Sequence, residues 1–134
     1  MKRINVLCEG PTEERFVEVV LYPYFLSKKI SLTPRSLDGG FNYARLKHEI
    51  VRWLNQDKDA FVTTMIDLYG LKGRYPGDKK TEKRSLLRAK TIETAIEADI
   101  LTTNTVHNAK FIAYLHRICS EDVSLNSRFD SFGA

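Results

Sequence analysis

The segment Ala60-Phe61-Val62-Thr63-Thr64-Met65-Ile66 constrains this chain more than any other. It is continuous rather than alternating, and rich in β-branched residues. A strand of that kind has both faces covered, which places it in the middle of a parallel sheet with helices above and below. Asp67 follows it directly, at the carboxyl end. In open parallel sheets ligands bind beyond the carboxyl ends of the strands, so an acid in that place is a candidate for chemistry.

The flanking segments complete the pattern. Arg3 to Cys8 reads as a first strand, short and apolar. Glu9-Gly10-Pro11-Thr12 breaks it, and a helix starts at Thr12 or just before, with Glu13 and Glu14 in its first turn. Phe16, Val17, Val20, Leu21, Tyr24 and Phe25 keep helical spacing to about Lys28, with a kink expected at Pro23. Ile30 to Leu37 is a second, weaker strand, followed by the Asp38-Gly39-Gly40 loop. Tyr43, Leu46, Ile50, Trp53 and Leu54 form the apolar stripe of a helix from about Asn42 to Gln56. A loop from Leu68 to Lys80 leads to a third helix, Thr81 to about Ile100, with Leu86, Leu87, Ala89, Ile92, Ala95 and Ile96 inward. Lys110 to Leu115 is a fourth strand.

With right-handed crossovers, the order β-α-β-α-β-α-β gives a Rossmann-like α/β fold. The expectation is a four-stranded, mainly parallel sheet with helices on both faces, formed by residues 1–116. Residues 117–134 are polar and without clear period, and read as an irregular tail. The 134 residues suit one domain, and the 43% hydrophobic content suffices for a core. No apolar run approaches the roughly 20 residues that span a bilayer. Met1-Lys2-Arg3 runs straight into the first strand with no leader pattern, so the cytoplasm is the expected location. Cys8 and Cys119 lack metal-ligand spacing, and no disulfide is expected between them.

Two acids stand at the sheet's carboxyl edge: Glu9 after the first strand and Asp67 after the third. Glu13, four residues beyond Glu9, can reach back over the same spot, whereas Glu14 is expected to face solvent. Three carboxylates without a cationic partner repel one another, and a divalent cation resolves the repulsion. Hard oxygen donors favour Mg²⁺ or Mn²⁺. The same residues also have ordinary roles, as a helix-dipole partner for Glu13 and a turn former for Asp67. Asp38 could join the site, but Asp-Gly-Gly is first of all a turn. His48, His107 and His116 form no ligand spacing and read as surface or partly buried residues. No Walker loop is present, so this chain alone is not an ATPase.

The net charge of +4 is mild, but its distribution is uneven. Lys72, Arg74, Lys79, Lys80, Lys83, Arg84, Arg88 and Lys90 are opposed only by Asp78 and Glu82. The stretch is either a solvated loop and helix face or a phosphate-binding rim, with Lys72, Arg74, Lys79, Lys80 and Arg84 as the nucleic-acid candidates.

Glu9-Gly10-Pro11-Thr12-Glu13 after an apolar strand resembles the opening motif of Toprim domains, especially those of overcoming-lysogenization-defect (OLD) type nucleases. A fuller resemblance is to a Toprim-like bacterial family of unknown function, number 4276. It is carried by Glu9 to Glu13, Gly39-Gly40, Thr64 to Gly70, Tyr75-Pro76-Gly77 and Phe111 to Tyr114, and it covers roughly residues 4 to 116.

The resemblance implies a Toprim fold with Mg²⁺ (or Mn²⁺) on Glu9, Glu13 and Asp67, with Glu9 and Asp67 catalytic. It implies cleavage of nucleic-acid phosphodiesters, and an ATPase partner in a phage-defence setting. Tyr69 stands where Toprim enzymes carry the second Asp of Asp-x-Asp, which points to a weakened or single-metal centre. After His116 the sequence leaves the family pattern, and a one-base deletion near the Arg117 codon would restore it. Residues 117–134 are therefore expected to be a frameshifted or truncated end. Two other functions fit the same residues. One is a non-catalytic regulatory or interaction module acting with the ATPase. The other is a phosphate- or nucleotide-binding α/β domain whose binding needs no metal.

Overall fold

Strand β1 (Lys2–Cys8) is exposed for two residues and then buried through Cys8, as its apolar run requires of a central strand. The computed structural model describes residues 1–37, 41–103, 105–106 and 110–117. β1 pairs in parallel with β2 (Ile30–Ser36) on one side and β3 (Phe61–Asp67) on the other. β2 tolerates Pro34 because it is an edge strand of the described sheet. β3 pairs with β4 (Phe111–Ile112) and β5 (Leu115–His116), giving the order β2-β1-β3-β4 with β5 continuing beside β3. Every described pairing is parallel.

Side chains on alternate strand positions enter two cores. Leu7, Val62 and Ile66 pack with α3 (Tyr43–Gln56) and α4 (Ser85–Leu101). Ile4, Val6, Cys8 and Met65 pack on the opposite face against Val17, Leu21 and Phe25 of the first helical stretch. The expected α/β sheet covered on both faces is therefore present. Among the described residues no helix is long and apolar enough to cross a membrane.

The first helical stretch solves the Pro23 problem differently from a simple kink. α1 (Pro11–Phe16) passes into a π segment, Val17–Leu21, and then into α2 (Tyr22–Leu26), with Pro23 in the first turn of α2. A proline has no N–H to give, so its place at a fresh helix start loses nothing. The wider π turn also keeps Val17, Leu21 and Phe25, each four apart, on one buried line. α3 begins as its sequence suggests, with the Asn42 side chain accepting from the Arg45 N–H at 3.0 Å.

Two expectations are corrected. The third helix starts at Ser85 rather than Thr81, because Lys79 to Glu82 form a turn (Glu82 N–H to Lys79 C=O, 2.8 Å) and the Glu82 carboxylate takes the Arg84 N–H. Leu86 and Leu87 consequently lie before the helix reaches the core, and they are exposed instead of inward. The fourth strand is also not continuous. β4 and β5 keep one register along β3 but are broken at Ala113-Tyr114. Side chains replace the missing ladder there. Thr64 Oγ1 donates to Tyr114 C=O at 2.7 Å and accepts from Tyr114 N–H at 2.9 Å. From α4, Glu97 accepts from Ala113 N–H (2.9 Å) and the buried Glu93 from Leu115 N–H (2.8 Å). Thr63 likewise donates to Ile112 C=O at 2.7 Å, which explains the two buried threonines of an otherwise apolar strand.

The loop before α4 is pinned to the helix. Gly77 has φ +73°, and a Cβ there would lie 2.8 Å from Ala95 Cβ and 2.9 Å from Thr91 C=O. Gly77→Ala is expected to destabilise the fold by about 1–3 kcal/mol, through backbone strain and overpacking together. Urea denaturation measures this, and an unchanged midpoint would show that the loop can lift away from α4 without loss.

Candidate metal centre at the carboxyl edge

β1 and β3 run side by side with Cys8 opposite Met65, so Glu9 and Asp67 leave the sheet at neighbouring places. The Asp67 N–H reaches Glu9 Oε2 at 3.4 Å. The Asp67 carboxylate also has the turn role foreseen for it, accepting from the Tyr69 N–H at 3.0 Å and capping the 3₁₀ turn Leu68–Gly70. That turn brings Gly70 against Glu9. A Cβ on Gly70 would lie 3.2 Å from Glu9 Oε1, so the glycine leaves open the space beside that carboxylate.

Glu13 comes from the first turn of α1, which Gly10 enters in extended conformation with Pro11 at the start. Glu13 Oε1 lies 3.7 Å from Nε2 of His116 at the end of β5. Burial raises the Glu9 carboxyl above the usual range. The Asp67 N–H pulls it back, the charges of Glu13 and Asp67 push it up again, and His116 draws it down. Glu13 and Asp67 thus both lie within electrostatic reach of Glu9. Among the described residues, however, no three His, Cys, Asp or Glu side chains converge at metal-ligating distance.

Two participants were not evident from spacing. His116 is the register partner of Asp67. Tyr75 is buried, packs its ring 5.3 Å from that of Tyr43, and lies near enough to Glu9 to feel its charge. Burial is the larger cause, and together they push the Tyr75 phenol up to about 12. Tyr69 is 58% exposed, so its phenol points outward. Glu14 is half-buried instead of solvent-facing, and its charge adds to the burial that raises the Cys8 thiol to about 12. Such a thiol is inert as a nucleophile. His48 is exposed, while Asp38, Gly39, Gly40, His107, Cys119 and the tail from residue 118 lie outside the described residues.

The basic stretch separates into two kinds of residue. Lys72, Arg74, Lys79 and Lys80 are exposed. Arg84 is largely exposed but held by Glu82 at 3.0 Å. Arg88 is not part of any rim, because its guanidinium is paired with the buried Asp78 at 2.8 Å. A depression of about 260 Å³ lined by Gly77, Lys79, Glu82, Leu87, Arg88 and Thr91 contains none of Glu9, Glu13 and Asp67, so it is separate from the metal candidate.

Fold and site together define a parallel α/β domain with an acidic cluster at its strand ends. The chain belongs to the family described as a domain of unknown function (DUF4276), whose model matches residues 8–122. That span includes Glu9, Glu13, Asp67 and His116. No curated protein and no solved structure matches the chain.

Proposed function

We propose that this is a Toprim-like, divalent-metal-dependent nuclease or phosphodiesterase domain of a phage-defence-type system. The observation that carries the reading is the meeting of Glu9 and Asp67 at the carboxyl edge, 3.4 Å from carboxylate to backbone, with Glu13 close enough to raise the Glu9 carboxyl. The donor set fits a hard cation, since Mg²⁺ is commonly held by one or two carboxylates with waters and a phosphate. Gly70 supports the fit by leaving room beside Glu9. Glu9 and Asp67 would hold Mg²⁺ or Mn²⁺, with Glu13 across from them. When bound, the cation supplies charge stabilisation at the attacked phosphate and lowers the pKa of a water. Glu9, Glu13 and Asp67 set the negative well that attracts it, and Lys72, Arg74, Lys79 and Lys80 supply exposed cations for a nucleic-acid backbone.

Tyr69 favours a second reading. With an outward-facing phenol in place of an acid, the domain would be a regulatory module that acts with a partner ATPase. The test is cleavage of supercoiled plasmid, single-stranded DNA and RNA with Mn²⁺ or Mg²⁺, beside Glu9→Gln/Asp67→Asn. Metal-dependent cleavage lost in the variant supports the nuclease. Absence of cleavage where metal binding is measurable rejects turnover by this chain alone.

A further inference from the structure

The first helical stretch is apolar almost all the way round. From Phe16 to Leu26 its only charged residue is Glu18. Val17, Leu21 and Phe25 are taken by the core. Phe16, Val19, Val20, Tyr22, Tyr24 and Leu26 stay outside, each between 37% and 57% exposed. They are six of the eleven large apolar side chains exposed among the described residues, gathered on one short run. A surface helix normally keeps a polar outer face, whereas one apolar on all sides is a buried helix. The run is far shorter than the roughly 20 residues that cross a bilayer. It also lacks the strongly basic face of a helix that lies on a lipid surface.

The spacing gives the outer face an axis. Phe16, Val20 and Tyr24 are four apart, like the buried line beside them, so they form an exposed stripe one position back. Its midpoint is Val20, and the charges divide about that point. Residues 11–20 hold Glu13, Glu14 and Glu18 against Arg15, whereas residues 21–29 hold Lys28 and Lys29 and no acid. A second copy laid antiparallel across the stripe puts Val20 on Val20 and Phe16 on Tyr24. It also sets each acidic half against the partner's basic half. A two-fold contact requires a patch that is complementary to itself in this way.

The exposed fractions of three aromatic and three aliphatic side chains amount to roughly 500 Å² of apolar surface, the upper range for one patch on a monomer. Two copies together would cover about 1,000 Å², which reaches the lower mark for a specific interface. The β2 edge offers no competing route. Leu37 N–H bonds to Cys8 C=O, so alternation along the strand turns Pro34 to the outside, where it has no N–H to give another strand.

We propose that residues 16–26 form a homodimer interface, with the two copies crossing antiparallel at Val20. Sedimentation velocity of the full chain over about 1–100 µM, the range suited to an interface of modest area, tests it. The wild type is expected to pass from monomer to dimer across that range. Val20→Glu sets two carboxylates against each other at the axis and should weaken association by about tenfold or more. Its melt at the dilute end should match the wild type, because Val20 is 50% exposed in the monomer. Val20→Cys gives a second readout that holds even where Val20→Glu fails to fold. Position 20 meets its own copy, so mild oxidation should cross-link Val20→Cys well beyond the wild type and beyond Leu86→Cys, an exposed position on α4. A wild type that stays monomeric throughout overturns the proposal. So does a dimer that folded Val20→Glu leaves intact, or cross-linking of Val20→Cys no greater than that of Leu86→Cys. A monomer that binds phosphatidylcholine/phosphatidylglycerol vesicles, and loses that binding in Val20→Glu, overturns it in favour of a lipid surface.

Discussion

Glu9→Gln/Asp67→Asn is expected to abolish Mg²⁺ and Mn²⁺ binding and, in the metal-free protein, to raise the melting temperature. The two effects have one cause. Burial and the charges of Glu13 and Asp67 hold the Glu9 carboxyl above its ordinary value of 4.5. As pH rises from 4.5 through the raised folded value, the native state keeps a proton that the unfolded state has already released. Stability therefore falls across that window, and at neutral pH the whole penalty is present. Glutamine carries no charge and removes it, at the expense of the proposed cation site. Isothermal titration with Mn²⁺, paired with thermal melts at pH 7 and below pH 4.5, checks both halves. The stabilisation of the variant should shrink on the acid side. Undiminished Mn²⁺ binding would mean that the cation sits elsewhere. An unchanged melt would mean that the acids are relieved in some other way.

Asp78→Ala has the largest expected effect on folding. Arg88 makes two hydrogen bonds to Asp78, at 2.8 and 3.0 Å, and the two side chains are only 17% and 2% exposed. Removing the carboxylate leaves a mostly buried guanidinium without its partner, and breaking such a pair costs about 3–5 kcal/mol. Arg88 holds the Asp78 carboxyl below the ordinary range, so the pair stabilises fully above the unfolded value of 3.8 and loses that contribution as pH falls through the folded value. The difference between wild type and variant, read by urea denaturation, should accordingly narrow in strong acid. A loss under about 1 kcal/mol at pH 7 would instead class the pair with solvent-screened surface bridges. The consequence reaches the site, because the same loop carries Tyr75 behind Glu9 and the exposed Lys72, Arg74, Lys79 and Lys80.

Local chemistry made much of this molecule legible in its sequence. The Asn42 cap, the Leu46-Ile50-Leu54 stripe and the unbroken apolar run of β3 each determine an element by themselves, and with them the sheet order that puts Glu9 beside Asp67. What escaped depends on partners distant in sequence. The break at Ala113-Tyr114 exists because Thr64, Glu93 and Glu97 hold the backbone there. One signal for it was available: Glu93 falls on the same helical face as Ala89, Ile92, Ile96 and Ile100, where a carboxylate has no reason to be unless it is bonded. Arg88 looked like one more cation of a basic run, and only the folded loop shows that Asp78 claims it. His116 formed no motif, yet it directly follows the fourth strand as Asp67 ends the third, and matching strand ends would have found it.

The sole tryptophan of the chain has two guanidinium groups over its ring, Arg35 at 4.1 Å and Arg52 at 5.3 Å from the centroid. It is one turn from Asp57, which Arg3 ties to the beginning of β1 at 2.8 Å. Trp53 thus sits toward the amino end of the sheet, while Tyr69 and Tyr75 flank the acids at the other end. The protein consequently carries two separate optical channels. Indole emission is expected to follow the folding equilibrium rather than what enters the carboxyl edge. With the proposed cation bound there, lanthanide luminescence sensitised by tyrosine would follow the edge itself, so one cuvette would distinguish a variant that has lost its cation from one that has lost its fold.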